Sequence, residues 1–395
     1  MKEDNKKYSA TSIVSVSRVE RSIYKAVEKV IRLIGGLQIK KSTKILIKPN
    51  LVFPVEASTG IVTNPKVVEG MIQYLMKVRA TPHNILVGEA SAISVKGTDT
   101  RKGFEKSGLS EICGKYGIKF EDLFQGGFVI KKLKLKAKKY VFQISEQIFK
   151  NDLIINVPVI KTHLQTGMTI ALKNMKGVVN IETRKEMHKM GLHESIAALN
   201  RALPKYVTIA DGTIGLEGMG PGTTGVPAYL GLIFASRDPV ALERVICDIV
   251  GIEVPRHTWL AAEFGVGQIE NEKIIVLGEE IEALKRKFQP ATGRIELHPN
   301  IDIIDKLSCT GCMNSMWAVV SKLRGVKGNN ITLILGPDIN NDNIDIQTKN
   351  LIAIGNCACD KLYDIRGIKL LDSLRGCPPS IEDQKGIIER HLRKP

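Results

Sequence analysis

Residues 153–163 read Leu-Ile-Ile-Asn-Val-Pro-Val-Ile-Lys-Thr-His, a short apolar run that gives way to polar side chains. Runs of this kind predict buried strands, here over 12–16, 44–47, 85–87, 153–155, 206–209, 230–234 and 274–277. Stretches of helical period predict helices over 21–34, 65–78, 108–116, 193–202, 239–250 and 257–264. Strands that alternate with helices are typical of parallel sheets with crossover helices. The sequence therefore predicts an α/β fold with a three-layer, mostly parallel sheet core.

The composition is that of an ordinary soluble protein. The 395 residues are 43% hydrophobic and 25% charged, which excludes wholesale disorder and collagen-like repeats. No apolar run is long enough to span a membrane, and the polar segment Met1–Lys7 is not followed by the apolar stretch of a secretory signal. We therefore expect a cytoplasmic protein with reduced thiols and no membrane partner.

One lysine-rich segment stands out in the distribution of positive charge. Lys and Arg number 57 against 41 Asp and Glu, a net charge of +16, and the densest run is Lys131–Lys139. Its lysines alternate with Leu133, Leu135 and Ala137, which predicts a hairpin over 131–144 with one charged face. Such lysines commonly protect an exposed strand from aggregation, and the alternative is a polyanion site. Aromatic residues are only 5% of the chain, so nucleic acid is not the expected partner.

The chain changes character near residue 295. Glycine, proline and motif cysteines become frequent, with short apolar runs at 331–335 and 351–354. We predict an α/β core domain over residues 1–294 and a smaller cysteine-rich α+β domain over 295–395.

Five of the seven cysteines form a candidate metal-binding set. Cys113 and Cys247 lie alone in predicted helices, where a buried cysteine usually acts as a small hydrophobic residue. The other five are Cys309 and Cys312 in a CxxC motif, Cys357 and Cys359 in a CxC motif, and Cys377 before two prolines. Four thiolates suit either zinc or an iron–sulfur cluster.

The sequence around these cysteines favours a [4Fe–4S] cluster over zinc. A proline directly after a cluster cysteine is a frequent ferredoxin feature, and Gly311 and Gly376 would let backbone amides approach the sulfides. The predicted ligands are Cys309, Cys312, Cys357 and Cys377, with Cys359 in reserve. Structural zinc and unligated or disulfide-switch thiols are the alternatives.

Polar residues recur where the predicted strands end, which is where open α/β sheets bind ligands. Lysine, asparagine and histidine side chains there suit a carboxylate or a phosphate. The residues predicted to bind a small anionic substrate are Lys48, Asn50, Asn64, Glu89, Lys173, Asn174, Lys176 and Asp238, with Lys161, His163 and Asp211 as catalytic groups.

Several of these segments together resemble the domain-of-unknown-function family 362 (DUF362). They are Lys48-Pro-Asn-Leu, Thr63-Asn-Pro, the segment 157–163, Leu172-Lys-Asn-Met-Lys-Gly, Asp211-Gly-Thr and Ser236-Arg-Asp-Pro-Val-Ala. The resemblance spans roughly residues 12–250 and implies the α/β core. It also implies an iron–sulfur module behind that core, although this chain lacks the full CxxCxxCxxxC spacing of a ferredoxin. It implies no particular reaction.

Two functional hypotheses follow. In the first, the core binds a small anionic substrate and the cluster passes electrons to it or to a redox partner protein, or acts as a Lewis acid through an open iron. In the second, the protein is a non-catalytic binding or assembly protein with structural zinc and a basic surface for nucleic acid.

Overall fold

A computed structural model describes residues 11–91, 100–291, 298–323 and 325–393. The chain divides into two compact units, whose described residues run to Ala291 and from His298 onward. The boundary predicted between residues 294 and 295 lies outside the described residues. No helix in these ranges is both long and apolar enough to cross a membrane.

The first unit contains thirteen strands and ten α-helices within its described residues. The strands are β1 Ser12–Arg18, β2 Ile45–Lys48, β3 Ile85–Glu89, β4 Lys119–Asp122, β5 Phe128–Leu135, β6 Lys138–Ser145, β7 Leu153–Asn156, β8 Val159–His163, β9 Gly167–Thr169, β10 Val207–Gly218, β11 Gly225–Ala228, β12 Leu232–Ser236 and β13 Ile274–Leu277. The helices are α1 Ile23–Leu33, α2 Pro65–Lys77, α3 Thr100–Lys106, α4 Leu109–Tyr116, α5 Gln147–Lys150, α6 Ala171–Asn174, α7 Ile181–Lys189, α8 Leu192–Ala202, α9 Pro239–Val250 and α10 Arg256–Glu263.

Eight of these strands form the main path of a sheet in the order β13-β1-β12-β10-β7-β2-β3-β4. Only β12 runs antiparallel to its neighbours along this described path. Strands β2 and β12 are buried at every position, as expected of strands covered on both faces. The predicted α/β class with a mostly parallel sheet is confirmed.

The central strand β10 is longer than the sequence predicts. Its first residues pair with β7, and its later residues pair with β8, which continues beyond Pro158. Strand β9 adds to β8, and β11 adds to β10. This extension carries the end of β8 beyond the level at which β2 and β7 stop.

The predicted hairpin is present as a separate two-stranded antiparallel sheet of β5 and β6. Leu133 pairs with Tyr140 on the face that packs into the core, whereas Lys132 pairs with Val141 on the exposed face. The alternation of leucine and lysine thus sets the two faces of this hairpin.

The second unit is built on one four-stranded sheet in the order β14-β15-β16-β17. Its strands are β14 Ile301–Asp305, β15 Ile331–Leu335, β16 Leu351–Ile354 and β17 Leu370–Leu374, and its helices are α11 Thr310–Lys322, α12 Asn356–Tyr363 and α13 Ile381–Leu392. All the pairs are parallel, whereas the sequence suggested an α+β arrangement. Crossover segments, two of them helical, return the chain to the same end of the sheet and allow this parallel pairing.

Candidate functional site

The candidate site lies at the carboxyl ends of β2, β7 and β8. Lys48, the last residue of β2, pairs with Asn156, the last residue of β7. Lys161 on β8 pairs with Leu216 on the extension of β10. These predicted residues therefore lie at one edge of the sheet, as expected for the carboxyl ends of parallel strands.

A fully buried ion pair forms the base of the site. Lys48 Nζ donates to Glu89 Oε2 at 2.5 Å, and Glu89 Oε1 accepts the backbone N–H of Ala90 at 2.8 Å. Burial lowers the pKa of Lys48, and the charge of Glu89 opposes that change. Gly177 allows the pair to exist, because a Cβ there would lie 2.7 Å from Lys48 Nζ and closer still to Glu89.

Lys161 is also completely buried, but both of its hydrogen-bond acceptors among the described residues are neutral. Its Nζ donates to Asn50 Oδ1 at 2.6 Å and to the carbonyl oxygen of Ile61 at 2.7 Å. Burial is the main cause that lowers the pKa of Lys161 to about 7, and the nearby charge of Lys48 acts in the same direction. Lys161 can therefore exchange a proton near neutral pH.

A chain of buried amides starts at Lys161 and fixes its position. Asn50 Nδ2 donates to Asn174 Oδ1 at 2.8 Å, and Asn174 Nδ2 donates to Asn156 Oδ1 at 2.7 Å. Asn156 in turn donates to the carbonyl oxygen of Ala171 at 2.9 Å. Because each amide uses its oxygen as acceptor and its nitrogen as donor, the orientation of the whole chain is set.

His163 is buried at the end of β8, and its protonation state follows from its contacts. Its Nδ1 accepts the backbone N–H groups of Gln165 at 3.1 Å and Thr166 at 3.3 Å. Burial, followed by the charges of Lys173 and Lys176, holds the pKa of His163 well below its usual range. The ring is therefore neutral, and its proton lies on Nε2.

Three further groups lie close enough to His163 for their charges to lower its pKa, namely Lys173, Lys176 and His188. Lys176 Nζ lies 2.6 Å from Nε2 of His188, and burial together with the Lys176 charge holds the pKa of His188 well below normal. The side chain of half-buried Lys173 makes no hydrogen bond or ion pair within the described part of the chain. Burial, Lys176 and Lys161 hold the pKa of Lys173 well below its usual range. We call Lys161, His163, Lys173, Lys176 and His188 the cationic pocket.

Arg184 on α7 closes this region, and the sequence reasoning missed it. Its guanidinium donates to the carbonyl oxygens of Ala90, Ser91 and Gly177, each at 2.9 Å, and lies over the ring of Phe124 at 4.3 Å. Burial lowers its pKa to about 10. The surrounding segment, Ile-Glu-Thr-Arg-Lys-Glu-Met-His-Lys, has the composition of an exposed helix and gives no signal of this role.

Two predicted residues are already bonded inside the protein. Buried Asp211 accepts the backbone N–H of Asn64 at 2.8 Å, and the N–H and hydroxyl of Thr213 at 2.9 and 2.6 Å. Burial raises the pKa of Asp211 to about 6, against these hydrogen bonds. Asn64 also caps α2 through Lys66 N–H, so both side chains serve the local backbone.

Asp238 is not brought together with the other predicted residues. It caps α9 and accepts hydrogen bonds from Ser12 and from the backbone of Gln268. Because β12 is antiparallel, Asp238 follows the end of its strand at the amino-terminal edge of the parallel strands. The strand-end rule assumes parallel strands and so misplaces this residue.

Helices α9 and α10 carry a second set of buried polar side chains near the pocket. Glu243 accepts the backbone N–H of Leu172 at 2.8 Å, and its other oxygen lies 3.5 Å from His257 Nε2. His257 Nδ1 lies 3.3 Å from Nδ1 of His193. Since Leu172 directly precedes Lys173, Glu243 anchors the helix that carries that lysine.

In the second unit, the cysteines gather at the carboxyl edge of its parallel sheet. Cys309 follows β14 and caps α11, Cys357 follows β16 in the first turn of α12, and Cys377 follows β17. Cys312 lies next to Gly355, where an added Cβ would be 3.1 Å from its sulfur. Parallel pairing thus explains why cysteines distant in sequence lie at the same edge of this sheet.

The electrostatics separate four of these cysteines from the fifth. The pKa of Cys312 is raised above its usual range by its hydrogen bond with Cys309, by burial, and by the charges of Cys309, Cys377 and Cys357. Cys359 is buried, its sulfur lies 3.8 Å from the carbonyl oxygen of Ala353, and the pKa of its thiol is raised mainly by burial. Among the described residues, no three His, Cys, Asp or Glu side chains stand at a spacing that could hold a metal ion. The metal ligands stay a prediction.

Comparison with known proteins identifies the family. A family model described as "Domain of unknown function (DUF362)" matches residues 45–248, which is half of the chain. The chain belongs to this family. The matched range of this DUF362 protein contains Lys48, Glu89 and every residue of the cationic pocket.

Two individual proteins resemble this DUF362 chain. The thylakoid-associated protein sll1697 of Synechocystis sp. is 25% identical over 269 residues, covering 66% of this chain and 79% of that protein. The lactate racemase apoprotein from Thermoanaerobacterium thermosaccharolyticum is 11% identical with a TM-score of 0.39, covering 99% of this chain and 83% of the other. The expected cytoplasmic location stays a prediction.

Proposed function

We propose that this DUF362 protein binds a small anionic substrate, a carboxylate or a phosphate, in the cationic pocket. The observation that carries the proposal is Lys173, a half-buried lysine that faces Lys161 and Lys176 with no carboxylate partner in the described residues. Burying like charges together is costly unless an opposite charge joins them. An anion beside Lys173 supplies that charge.

The side chains divide the work of holding such an anion. Lys173 and Lys176 neutralise its charge, and His163 offers the N–H of its Nε2 as a donor. Lys161 has a pKa of about 7, so it can give or take a proton at the bound substrate. Lys48, Glu89 and Asp211 hold the strand ends in place around these groups.

The second half of the proposal concerns the cysteines of the second unit. In this group of four thiols, three disfavour the ionisation of the fourth. Four such thiols suit a cationic centre, because a bound metal offsets the repulsion between thiolates. We assign Cys309, Cys312, Cys357 and Cys377 to a [4Fe–4S] cluster, which when bound would supply one-electron transfer or Lewis-acid chemistry. The protein would then be a cluster-dependent enzyme or a redox protein.

Anaerobic purification tests the metal assignment. A brown protein with broad absorption near about 400 nm and about four irons per chain is the expected result. A colourless protein with about one zinc per chain would refute the cluster and favour the structural-zinc alternative.

The anion site is tested by thermal stabilisation in the presence of phosphate, malonate or acetate. At about one hundred times its dissociation constant, a ligand stabilises the folded state by about 2.7 kcal/mol. We expect at least one of these anions to raise the melting temperature of the wild type and not that of Lys173→Met. The matched control is Lys185→Met, which removes an exposed lysine from α7 and should keep the response.

Two outcomes would overturn the anion site. An equal rise of the melting temperature in Lys173→Met would place the anion elsewhere on the protein. No rise with any of the three anions in the wild type would show that the pocket does not take a small carboxylate or phosphate.

A further inference from the structure

The hairpin of β5 and β6 has one covered edge and one free edge. The backbone of Gln143 on β6 bonds to the Thr183 hydroxyl and to the N–H of Asn180, and Ile144 forms a bridge with Val179. Within the described residues, β5 pairs only with β6, and its outer edge makes no backbone hydrogen bond. The outer edge of β5 therefore presents unpaired N–H and C=O groups to a partner.

A groove of about 360 Å³ runs along this free edge. It is lined by Lys131, Lys132, Leu133, Lys134, Leu135, Arg201 and Ala202. Half-buried Leu133, Leu135 and Ala202 supply apolar surface, while the lysines and Arg201 are exposed. The groove thus combines apolar surface with a strongly positive rim.

The positive charge of the groove is largely uncompensated. No acidic residue belongs to the lining. In the hairpin, Lys136 pairs with Glu263 at 2.6 Å, and Lys131 lies over the ring of Phe149 at 4.8 Å. Lys132 and Lys134 make no ion pair with any described residue. Lysines that only protect an edge need no groove beside them, so protection alone does not explain this arrangement.

We propose that the groove binds an acidic, extended segment of a partner protein, which adds to β5 as a further strand. The free backbone edge would give main-chain hydrogen bonds, and alternate side chains of the segment would meet the apolar surface and the cations. The lining contains no aromatic ring on which bases could stack, and a concave groove does not fit a flat lipid surface. This inference is independent of the proposed substrate.

A labelled peptide tests the proposal directly. The probe is a fluorescein-labelled decapeptide of alternating glutamate and valine, titrated with the full chain and followed by fluorescence polarisation. We expect binding that weakens with added salt, and a loss of roughly tenfold in Lys132→Ser/Arg201→Ser. The matched control is Lys138→Ser/Lys139→Ser, which removes two exposed lysines of β6 outside the groove and should change the affinity little.

A second probe tests strand addition without any change to the protein. The same decapeptide methylated on alternate backbone nitrogens keeps its charges but loses its edge hydrogen bonds, so it should bind at least tenfold more weakly. Equal binding of the two peptides, or equal losses in the two double variants, would refute a specific groove. Tighter groove-dependent binding of oligouridylate or of phosphatidylglycerol vesicles would replace the protein partner with that class of ligand.

Discussion

Replacing Lys161 by methionine should remove a pH dependence that this one side chain gives to the stability of the first unit. Burial lowers the pKa of Lys161 from 10.5 to about 7. Below about pH 7 both the folded and the unfolded chain carry the proton, and the buried charge lowers stability by its full amount. Between about pH 7 and 10.5 only the unfolded chain binds the proton, so stability rises with pH.

The size of the effect follows from the same pKa shift. Each pKa unit corresponds to about 1.4 kcal/mol, so between about pH 7.5 and 9.5 the wild type should gain about 2.5 kcal/mol of stability relative to Lys161→Met. The variant also leaves Asn50 Oδ1 and the Ile61 carbonyl oxygen without a donor, at about 1–3 kcal/mol each. That cost does not depend on pH, so it shifts both ends of the comparison equally.

Urea unfolding at several pH values measures this difference. The chain has two tryptophans, so a Trp317→Phe background leaves Trp259 as the only tryptophan and a reporter of the first unit. Lys185→Met, at an exposed position, should follow the wild type across the pH range. If the stability difference between wild type and Lys161→Met stays constant within about 0.5 kcal/mol, Lys161 keeps an ordinary pKa and the reasoning fails.

Two further pairs of substitutions test the two sites by other means. Gly177→Ala would force its Cβ into the buried ion pair of Glu89 and should lower the free energy of unfolding by about 3–5 kcal/mol. Gly114→Ala on α4 has open space around it, so it should be neutral or stabilising by up to about 1 kcal/mol, and similar urea midpoints for the two variants would contradict this reasoning. Cys357→Ser should lower the iron content of anaerobically purified protein, whereas Cys359→Ser should leave it unchanged; a loss only in Cys359→Ser would reverse the ligand assignment.

Most of the first unit could be predicted from local sequence signals. Helix α9 begins and ends as predicted, because Asp238 caps it, Pro239 starts it and Gly251 ends it in the left-handed conformation. Strand β10 extends beyond its predicted end at residue 209, because Asp211-Gly-Thr has the composition of a loop. The buried Asp211 carboxylate is instead satisfied by Thr213, two residues further on, and by the distant Asn64, a tertiary contact that no local pattern predicts.

The residues of the site could be predicted only where the direction of their strand could be predicted. Lys48 and Lys161 lie at the expected edge because β2 and β8 are both aligned with the parallel strands, whereas Asp238 follows the antiparallel β12. The role of Gly177 was not predictable, because it depends on side chains from two strands distant in sequence. Long-range packing therefore decides which strand-end residues belong to the site.

Both proposed sites lie at the carboxyl ends of parallel strands. The side chains gathered there ionise to positive groups in the first unit and to negative groups in the second. In the first unit, parallel strand ends gather lysines whose pKa values fall because they are buried near one another. In the second unit, parallel strand ends gather thiols, and the pKa of Cys312 rises because other thiols surround it. In each site, the neighbouring groups disfavour one another's ionisation, and a ligand of opposite charge would offset the repulsion between them. That ligand would be an anion in the first unit and a metal centre in the second. At Lys173, whose side chain has no hydrogen-bond partner among the described residues, stability without ligand and affinity for ligand are therefore opposed, so Lys173→Met should stabilise the empty protein and weaken anion binding together.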